Sequence, residues 1–282
     1  MNSQTQLTPF EHNRDITDML YVYPVVSRRA GGVSIGINLN PNNACNWRCI
    51  YCQVPGLVRG SAPPIDLGRL ESELRQMLAD ILRGDFMQQH VAPAARHLED
   101  IAFSGNGEST SSSEFPQAVT LVERVMREFD LLGRIKLRLI TNGSLIDRPG
   151  VLDAIAHLAR CNGEVWFKVD AATSEGIARI NDVRLNPLGV LERLRSCAQA
   201  CPTWVQTCVF ALDGNPPDAH ETQAYLDLLR KAQDVLAGVH LYGLARPPMQ
   251  AEASRLSRLP ASWLEALAQR IRQLGLTVHV SP

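Results

Sequence analysis

From about residue 33 onward, short apolar runs rich in β-branched residues alternate with longer stretches whose apolar positions recur at helical spacing. The short runs predict strands near residues 33–39, 97–103, 135–140, 164–169, 204–212 and 239–244, with a further one near 276–280. The longer stretches predict helices near residues 67–82, 114–129, 149–159, 187–200, 217–237 and 260–274. Several of these open on a proline (Pro149, Pro187, Pro217, Pro260), where the missing N–H costs nothing. Such alternation argues for a wound α/β fold, and six units without a break in composition argue for one barrel-like domain. On this reading residues 1–30 form an appended arm, 31–250 the barrel, and 251–282 a last helix and a closing strand of the same domain. In a parallel β/α barrel the reactive side chains gather at the carboxyl ends of the strands, so chemistry is expected just after each run.

Composition narrows the class. The chain has 282 residues, 45% hydrophobic and 20% charged, enough to bury a substantial core. Its 28 Lys and Arg against 29 Asp and Glu give a net charge of −1, without the basic field of a dedicated phosphate-backbone binder. No stretch approaches the ~20 consecutive apolar residues of a bilayer span, so no membrane partner is expected. The first twenty residues carry acids, amides and Pro9 where a secretory leader needs an apolar run. Ser27-Arg28-Arg29 resembles a twin-arginine signal, but glycines and polar residues break up the stretch after Arg29. Seven cysteines is an odd number, and three of them, Cys45, Cys49 and Cys52, lie within eight residues. That spacing suits metal ligation better than a disulfide framework and implies a reducing, cytoplasmic compartment.

The trio carries the strongest chemical signal. Cys45-Asn46-Trp47-Arg48-Cys49-Ile50-Tyr51-Cys52 is a C-x3-C-x2-C array following the first strand. Three soft thiolates on one short loop can each bind a corner of a [4Fe–4S] cube and leave the fourth iron without a protein ligand. Structural zinc normally takes four protein ligands, and the next histidine is as far away as His90. Buried or zinc-binding thiols are the plain alternative.

The array resembles the signature of the radical S-adenosylmethionine (radical SAM) superfamily, C-x3-C-x-aromatic-C, with Tyr51 in the aromatic slot. After the second strand, Gly105-Asn106-Gly107-Glu108 resembles the superfamily's GGE element, with Asn106 in place of the usual second glycine. After the third, Thr141-Asn142-Gly143 stands where the superfamily brings polar groups toward the cofactor. The segment from Tyr23 to Arg29, the run Phe167-Lys168-Val169-Asp170-Ala171 and Arg246-Pro247-Pro248 extend the likeness over about residues 22–250. They resemble a branch of compact Fe–S oxidoreductases related to the wyosine-type tRNA-modifying radical SAM enzymes.

The resemblance implies a partial TIM-type (β/α)6 barrel with a short amino-terminal extension. It implies a [4Fe–4S] cluster on the catalytic cysteines Cys45, Cys49 and Cys52, and S-adenosyl-L-methionine (SAM) bound near Tyr51, Gly105, Asn106, Gly107, Glu108, Thr141, Asn142, Lys168 and Asp170. It further implies a reducing partner such as flavodoxin or ferredoxin. The chemistry would be reductive cleavage of SAM to methionine and a 5'-deoxyadenosyl radical that abstracts hydrogen from a substrate.

Each of these residues also has an ordinary reading. Gly105 to Glu108 could be a turn opening a helix, and Thr141 and Asn142 a helix cap. Lys168, one of three lysines, could pair structurally with Asp170, although charges at a barrel's carboxyl end must contact each other, cofactor or substrate to offset desolvation. Arg28, Arg29 and Arg246 are either surface charges or anion binders for the substrate. Cys161, Cys197, Cys201 and Cys208 raise the question of a second cluster, against the commoner role of free cysteine as a small buried hydrophobe. The wyosine-forming enzymes carry an extra cluster on amino-terminal cysteines; no cysteine here precedes Cys45, which argues against that activity. The expectation is therefore a radical SAM enzyme acting on a small molecule, peptide or nucleotide. An RNA-modifying enzyme, disfavoured by the near-neutral charge, and a non-catalytic Fe–S or zinc protein stand as alternatives.

Overall fold

The computed structural model describes residues 6–8 and 17–282. Its elements are, in chain order, strands Val22–Val26 (β1), Val33–Ile37 (β2), Ala44–Cys45 (β3) and Val58–Arg59 (β4), then helices Leu67–Arg83 (α1) and Phe86–His90 (α2). Next come strand Leu98–Phe103 (β5), helix Phe115–Glu128 (α3), strand Lys136–Thr141 (β6), helix Val151–Arg160 (α4), strand Glu164–Lys168 (β7), and helices Ser174–Asn181 (α5) and Pro187–Ala200 (α6). The chain ends with strands Thr203–Cys208 (β8) and Ala211–Leu212 (β9), helix Ala219–Ala232 (α7), strands Gly238–Tyr242 (β10) and Leu256–Ser257 (β11), helix Ala261–Arg272 (α8) and strand Val278–Ser281 (β12).

Eight strands form the main sheet in the order β1-β2-β5-β6-β7-β8-β10-β12. All neighbours from β2 to β12 are parallel, and β1 pairs antiparallel with β2. Among the described residues β1 and β12 do not pair with each other, so the sheet is a wound, open barrel. Helices α1, α3, α4, α6, α7 and α8 pack side by side around its outside in chain order, as successive right-handed crossovers require.

The period of two along each strand sorts the side chains. Val33, Ile35, Ile37, Ile101, Phe103, Leu137, Leu139, Val165, Val205, Val239 and Leu241 face the helices and are buried without residual exposure. The alternate positions face inward and are mostly polar: Ser34, Asp100, Arg138, Trp166, Lys168 and Gln206 line the interior cavity. Below it Arg138 pairs with Asp100 and, at 2.6 Å, with Glu164, whose carboxylate also accepts from Trp166 Nε1 at 3.0 Å. Buried charges are tolerated there because each has an opposite partner.

Several segments depart from the sequence reading. Within the stretch read as an appended arm, Val22–Val26 is an edge strand of the sheet, and Leu7 is buried and bridged to Val91. The rest of that expectation, residues 1–5 and 9–16, lies outside the described residues. Helix α5 was not anticipated, although Thr173 caps it by accepting from Gly176 N, with Glu175 in its first turn.

Candidate functional site

At the carboxyl ends of the parallel strands the sheet opens into a cavity of about 960 Å³. The loop after β2 forms one wall. It is pinned at several points: Gly60 N donates to Cys45 O at 3.0 Å, Arg48 N to Asn181 O at 3.2 Å, and Ile50 N to Ile180 O at 2.9 Å. Arg48 pairs with Asp182 at 2.9 Å and Glu252 at 2.8 Å, while Met249 N donates to Cys52 O at 2.8 Å. Trp47, Ile50 and Tyr51 are buried, and the three cysteines between them are half-buried and line the cavity. Cys161, Cys197, Cys201 and Cys208 are instead buried. Cys208 lines the cavity, whereas Cys197 lies on α6 with Cys201 at its carboxyl end.

Burial pushes the Cys45 thiol up to about 11, and that of Cys49 up to about 12 against the opposing pull of Lys168. Both are held as neutral thiols until a soft cation displaces their protons. Among the described residues the one trio of potential ligand atoms gathered within 4.8 Å is Glu123, His157 and Cys161, on the outer helices. The sulfurs of Cys45, Cys49 and Cys52 are spread more widely than that. Asn181 Nδ2 reaches back from α5 to Cys49 Sγ at 3.3 Å.

The turn after β5 forms the second wall. Gly105 has φ +148°, and a Cβ there would fall 2.4 Å from Asn38 Oδ1, the atom that accepts from Asn106 N at 3.0 Å. Asn106 Nδ2 donates to Asn43 Oδ1 at 2.6 Å, tying this turn to the cysteine loop. Glu108 is 3% exposed. Its carboxylate accepts from Thr110 N (3.2 Å) and Thr110 Oγ1 (2.7 Å), from Thr141 Oγ1 (2.7 Å) and from Asn142 N (2.6 Å). Glu108 therefore braces the ends of β5 and β6 together, and desolvation raises its pKa despite those donors.

Thr141 is buried behind Glu108 and does not reach the cavity, whereas Asn142 does. Asn142 Nδ2 donates to Asn46 Oδ1 at 2.9 Å, a second bridge to the cysteine loop. Lys168 lines the cavity; its ammonium donates to Tyr51 OH and lies 4.8 Å from that ring's centre. Asp170 sits behind it. The Asp170 carboxylate accepts from Tyr51 OH (2.6 Å), Asn181 Nδ2 (2.9 Å) and Cys208 N (3.1 Å), with Lys168 Nζ at 3.8 Å. It is a tether for the aromatic slot and not a cavity group. Arg28, Arg29 and Arg246 all line the cavity, and the Arg246 carbonyl accepts from Gln53 Nε2 at 3.0 Å. Asn38, Gln206 and Tyr242 line this cavity, Asn46 and Asn181 bond to Asn142 and Cys49 on its wall, and none of the five was singled out in the sequence.

No family model matches the chain. It is 29% identical over 161 residues to UPF0026 protein MJ1312 of Methanocaldococcus jannaschii, which is 56% of this chain and 42% of that protein. It is also 29% identical over 126 residues to GTPase Obg of Brachyspira hyodysenteriae, 44% of this chain and 15% of that protein. The chain thus spans less than half the length of these curated relatives. None of its lysines, Lys136, Lys168 and Lys231, follows a glycine, so it contains no P-loop lysine motif.

Among solved structures, a radical SAM methyltransferase from Sphaerobacter thermophilus superposes with a TM-score of 0.57 at 17% identity, over 92% of this chain and 68% of that one. TYW1 with a lysine-pyruvate adduct bound gives 0.56 at 14% identity, over 86% of this chain and 74% of that one. The fold is that of the radical SAM enzymes. Streptococcus suis SuiB, solved with S-adenosylmethionine bound, gives 0.52 at 12% identity over 87% of this chain and 45% of that one. In this radical SAM fold the three thiols, the glycine turn, Asn142 and Lys168 all open into one cavity.

Proposed function

We propose that this chain is a radical SAM enzyme in which Cys45, Cys49 and Cys52 hold a [4Fe–4S] cluster and SAM lies between them and the turn from Gly105 to Glu108. The observation that carries the reading is the convergence of three half-buried thiols with that turn in one cavity at the carboxyl ends of parallel strands. The donor set suits the group. A single tetrahedral zinc draws its sulfurs to about 4 Å of one another, given Zn–S bonds of about 2.3 Å, and three sulfurs spread more widely fit separate corners of a cluster. When bound, the cluster and SAM supply one-electron cleavage of the SAM carbon–sulfur bond and, through the deoxyadenosyl radical, removal of a substrate hydrogen atom.

The chain's own residues bind, orient and shield. Trp47, Ile50 and Tyr51 are buried between the cysteines and limit water around them. Asn181 directs an N–H at Cys49 Sγ, and the bridges Asn106–Asn43 and Asn142–Asn46 hold the glycine turn and the β6 end against the cysteine loop. Lys168, fixed by Tyr51 and Asp170, presents a cation to the cavity. The electron comes from outside, from a flavodoxin- or ferredoxin-like donor, and seven free cysteines suit a reducing cytoplasm. No helix among the described residues is long and apolar enough to cross a membrane. The net charge of −1 favours a small substrate over RNA.

The test is to purify the protein without oxygen, reconstitute iron and sulfide, add dithionite and SAM, and measure 5'-deoxyadenosine. The wild type is expected to form it and a Cys45→Ala/Cys49→Ala/Cys52→Ala variant to form none. Four irons per chain with no SAM binding would overturn the reading.

A further inference from the structure

The cavity wall carries Asp18, Asp100, Glu108, Arg28, Arg29, Arg138, Lys168 and Arg246, and Asp100 and Arg138 pair with each other at its floor. Near the cysteine loop, Glu108 is satisfied by its four donors and Lys168 by Asp170 and Tyr51. Across the cavity stand Arg28 and Arg29, and no Asp or Glu among the described residues pairs with either. Arg28 donates to the carbonyl of Gly243, at 3.4 Å, and to a main-chain oxygen of Pro282, the last residue of the sequence. The Arg29 guanidinium lies over the rings of Trp166, at 5.1 Å, and Tyr242, at 4.7 Å. Trp166 carries a second guanidinium, that of Arg138, at 4.8 Å. Burial and then the neighbouring Arg29 charge lower the Arg28 pKa.

A second, independent feature lies beneath Arg29. Gln206 on β8 is 1% exposed, lines the cavity, and its Oε1 is buried without a hydrogen-bond partner. Strand register fixes its level: Trp166 pairs with Trp204, two residues before it, and Tyr242 with Cys208, two residues after. A guanidinium touching both Trp166 and Tyr242 therefore spans the level of Gln206. Stacking on two rings holds Arg29's plane while leaving its N–H fork to face a ligand, and bidentate anion recognition needs such a fork. A buried amide oxygen without a donor is costly until a ligand supplies one.

We infer that Arg29 and Gln206 form the substrate subsite of this cavity and that the substrate is a small anion. Its carboxylate or phosphate sits on the Arg29 fork, and a neighbouring N–H or O–H donates to Gln206 Oε1. The inference rests on reading the cavity as a radical SAM site, and a volume of about 960 Å³ leaves room for a metabolite beside SAM. The test is calorimetric titration of cluster-loaded protein with inorganic phosphate, with malate and with SAM, in wild type, Arg29→Gln and Arg29→Lys, after circular dichroism has shown each to be folded. One of the two anions is expected to bind saturably, and which one distinguishes phosphate from carboxylate. Arg29→Gln should weaken it by about tenfold or more, Arg29→Lys less, with SAM affinity retained in both. Absence of binding by either anion, equal binding by Arg29→Gln, or loss of SAM binding in that variant would overturn the assignment. The triple cysteine variant separates the two readings: anion binding should survive there while 5'-deoxyadenosine formation is lost. A loaded wild type that binds the anion but neither binds nor cleaves SAM would sink the radical reading alone.

Discussion

At the scale of single residues, the side chain that most directly touches the cysteine array is Asn181. Its amide divides two N–H groups between Cys49 Sγ and the Asp170 carboxylate, and the same carboxylate anchors Tyr51 and Lys168. A hydrogen bond to a cluster sulfur stabilises the more negative, reduced state. Asn181→Leu in the loaded protein is therefore expected to move the cluster's reduction potential to more negative values, read by an electron paramagnetic resonance redox titration. An unchanged potential would mean that the Asn181 amide serves Asp170 alone. The sequence hid this residue for a plain reason: Asn181 lies 132 positions from Cys49, and an asparagine near a helix end reads as an ordinary cap. Arg48 and Glu252, 204 apart, are hidden in the same way. The cysteines were legible because their ligand spacing is local.

At the scale of elements, the glycine turn and the cysteine loop are fitted backbone to backbone. A Cβ on Gly107 would fall 2.0 Å from the carbonyl oxygen of Ala44, the residue before Cys45, and 2.7 Å from Asn40 Cγ. Gly107→Ala must push β3 away from the β5 end, and overpacking of this kind costs about 1–3 kcal/mol. The expected outcome is a lower urea midpoint together with fewer irons retained per chain after reconstitution; full iron loading at an unchanged midpoint would show that the loop yields without consequence. The parallel strands were readable because Val, Ile and Leu recur at their outward positions. Strand β1 was not, since Pro24 stands at its middle and its edge position lets it do without that N–H. The sequence run expected over 204–212 is two elements, with β8 in the barrel and Ala211–Leu212 turned away to pair with Leu256–Ser257. Alternation alone cannot mark where a strand leaves its sheet.

At the scale of the whole molecule, this barrel fills its lower interior with charge where a closed barrel would use branched apolar layers. Arg138 stands between Asp100 and Glu164, Ser34 Oγ donates to Asp100, and Trp166 Nε1 donates to Glu164. The arrangement floors the cavity without closing it, since Ser34, Asp100, Arg138 and Trp166 also line it from below. Removing Arg138 leaves Asp100 buried without a cation and Glu164 with only Lys136, at 3.9 Å, and breaking such a pair costs about 3–5 kcal/mol. Arg138→Met should therefore lower the unfolding free energy by that amount in urea denaturation of the anaerobically purified chain. Replacing all three charges together, as Asp100→Leu/Arg138→Met/Glu164→Leu, leaves no buried carboxylate uncompensated, and Lys136, which loses Glu164, is partly exposed to water. It is expected to recover most of the loss, less about 1–3 kcal/mol for each of the Ser34 and Trp166 donors left without an acceptor. If the triple variant instead unfolds as easily as Arg138→Met, pairing is not what the charges supply, and the hydrogen-bonded frame they form around Trp166 is what holds the floor. That frame also sets the ring on which Arg29 rests, so the same triple variant should weaken anion binding at Arg29 even where its fold is restored.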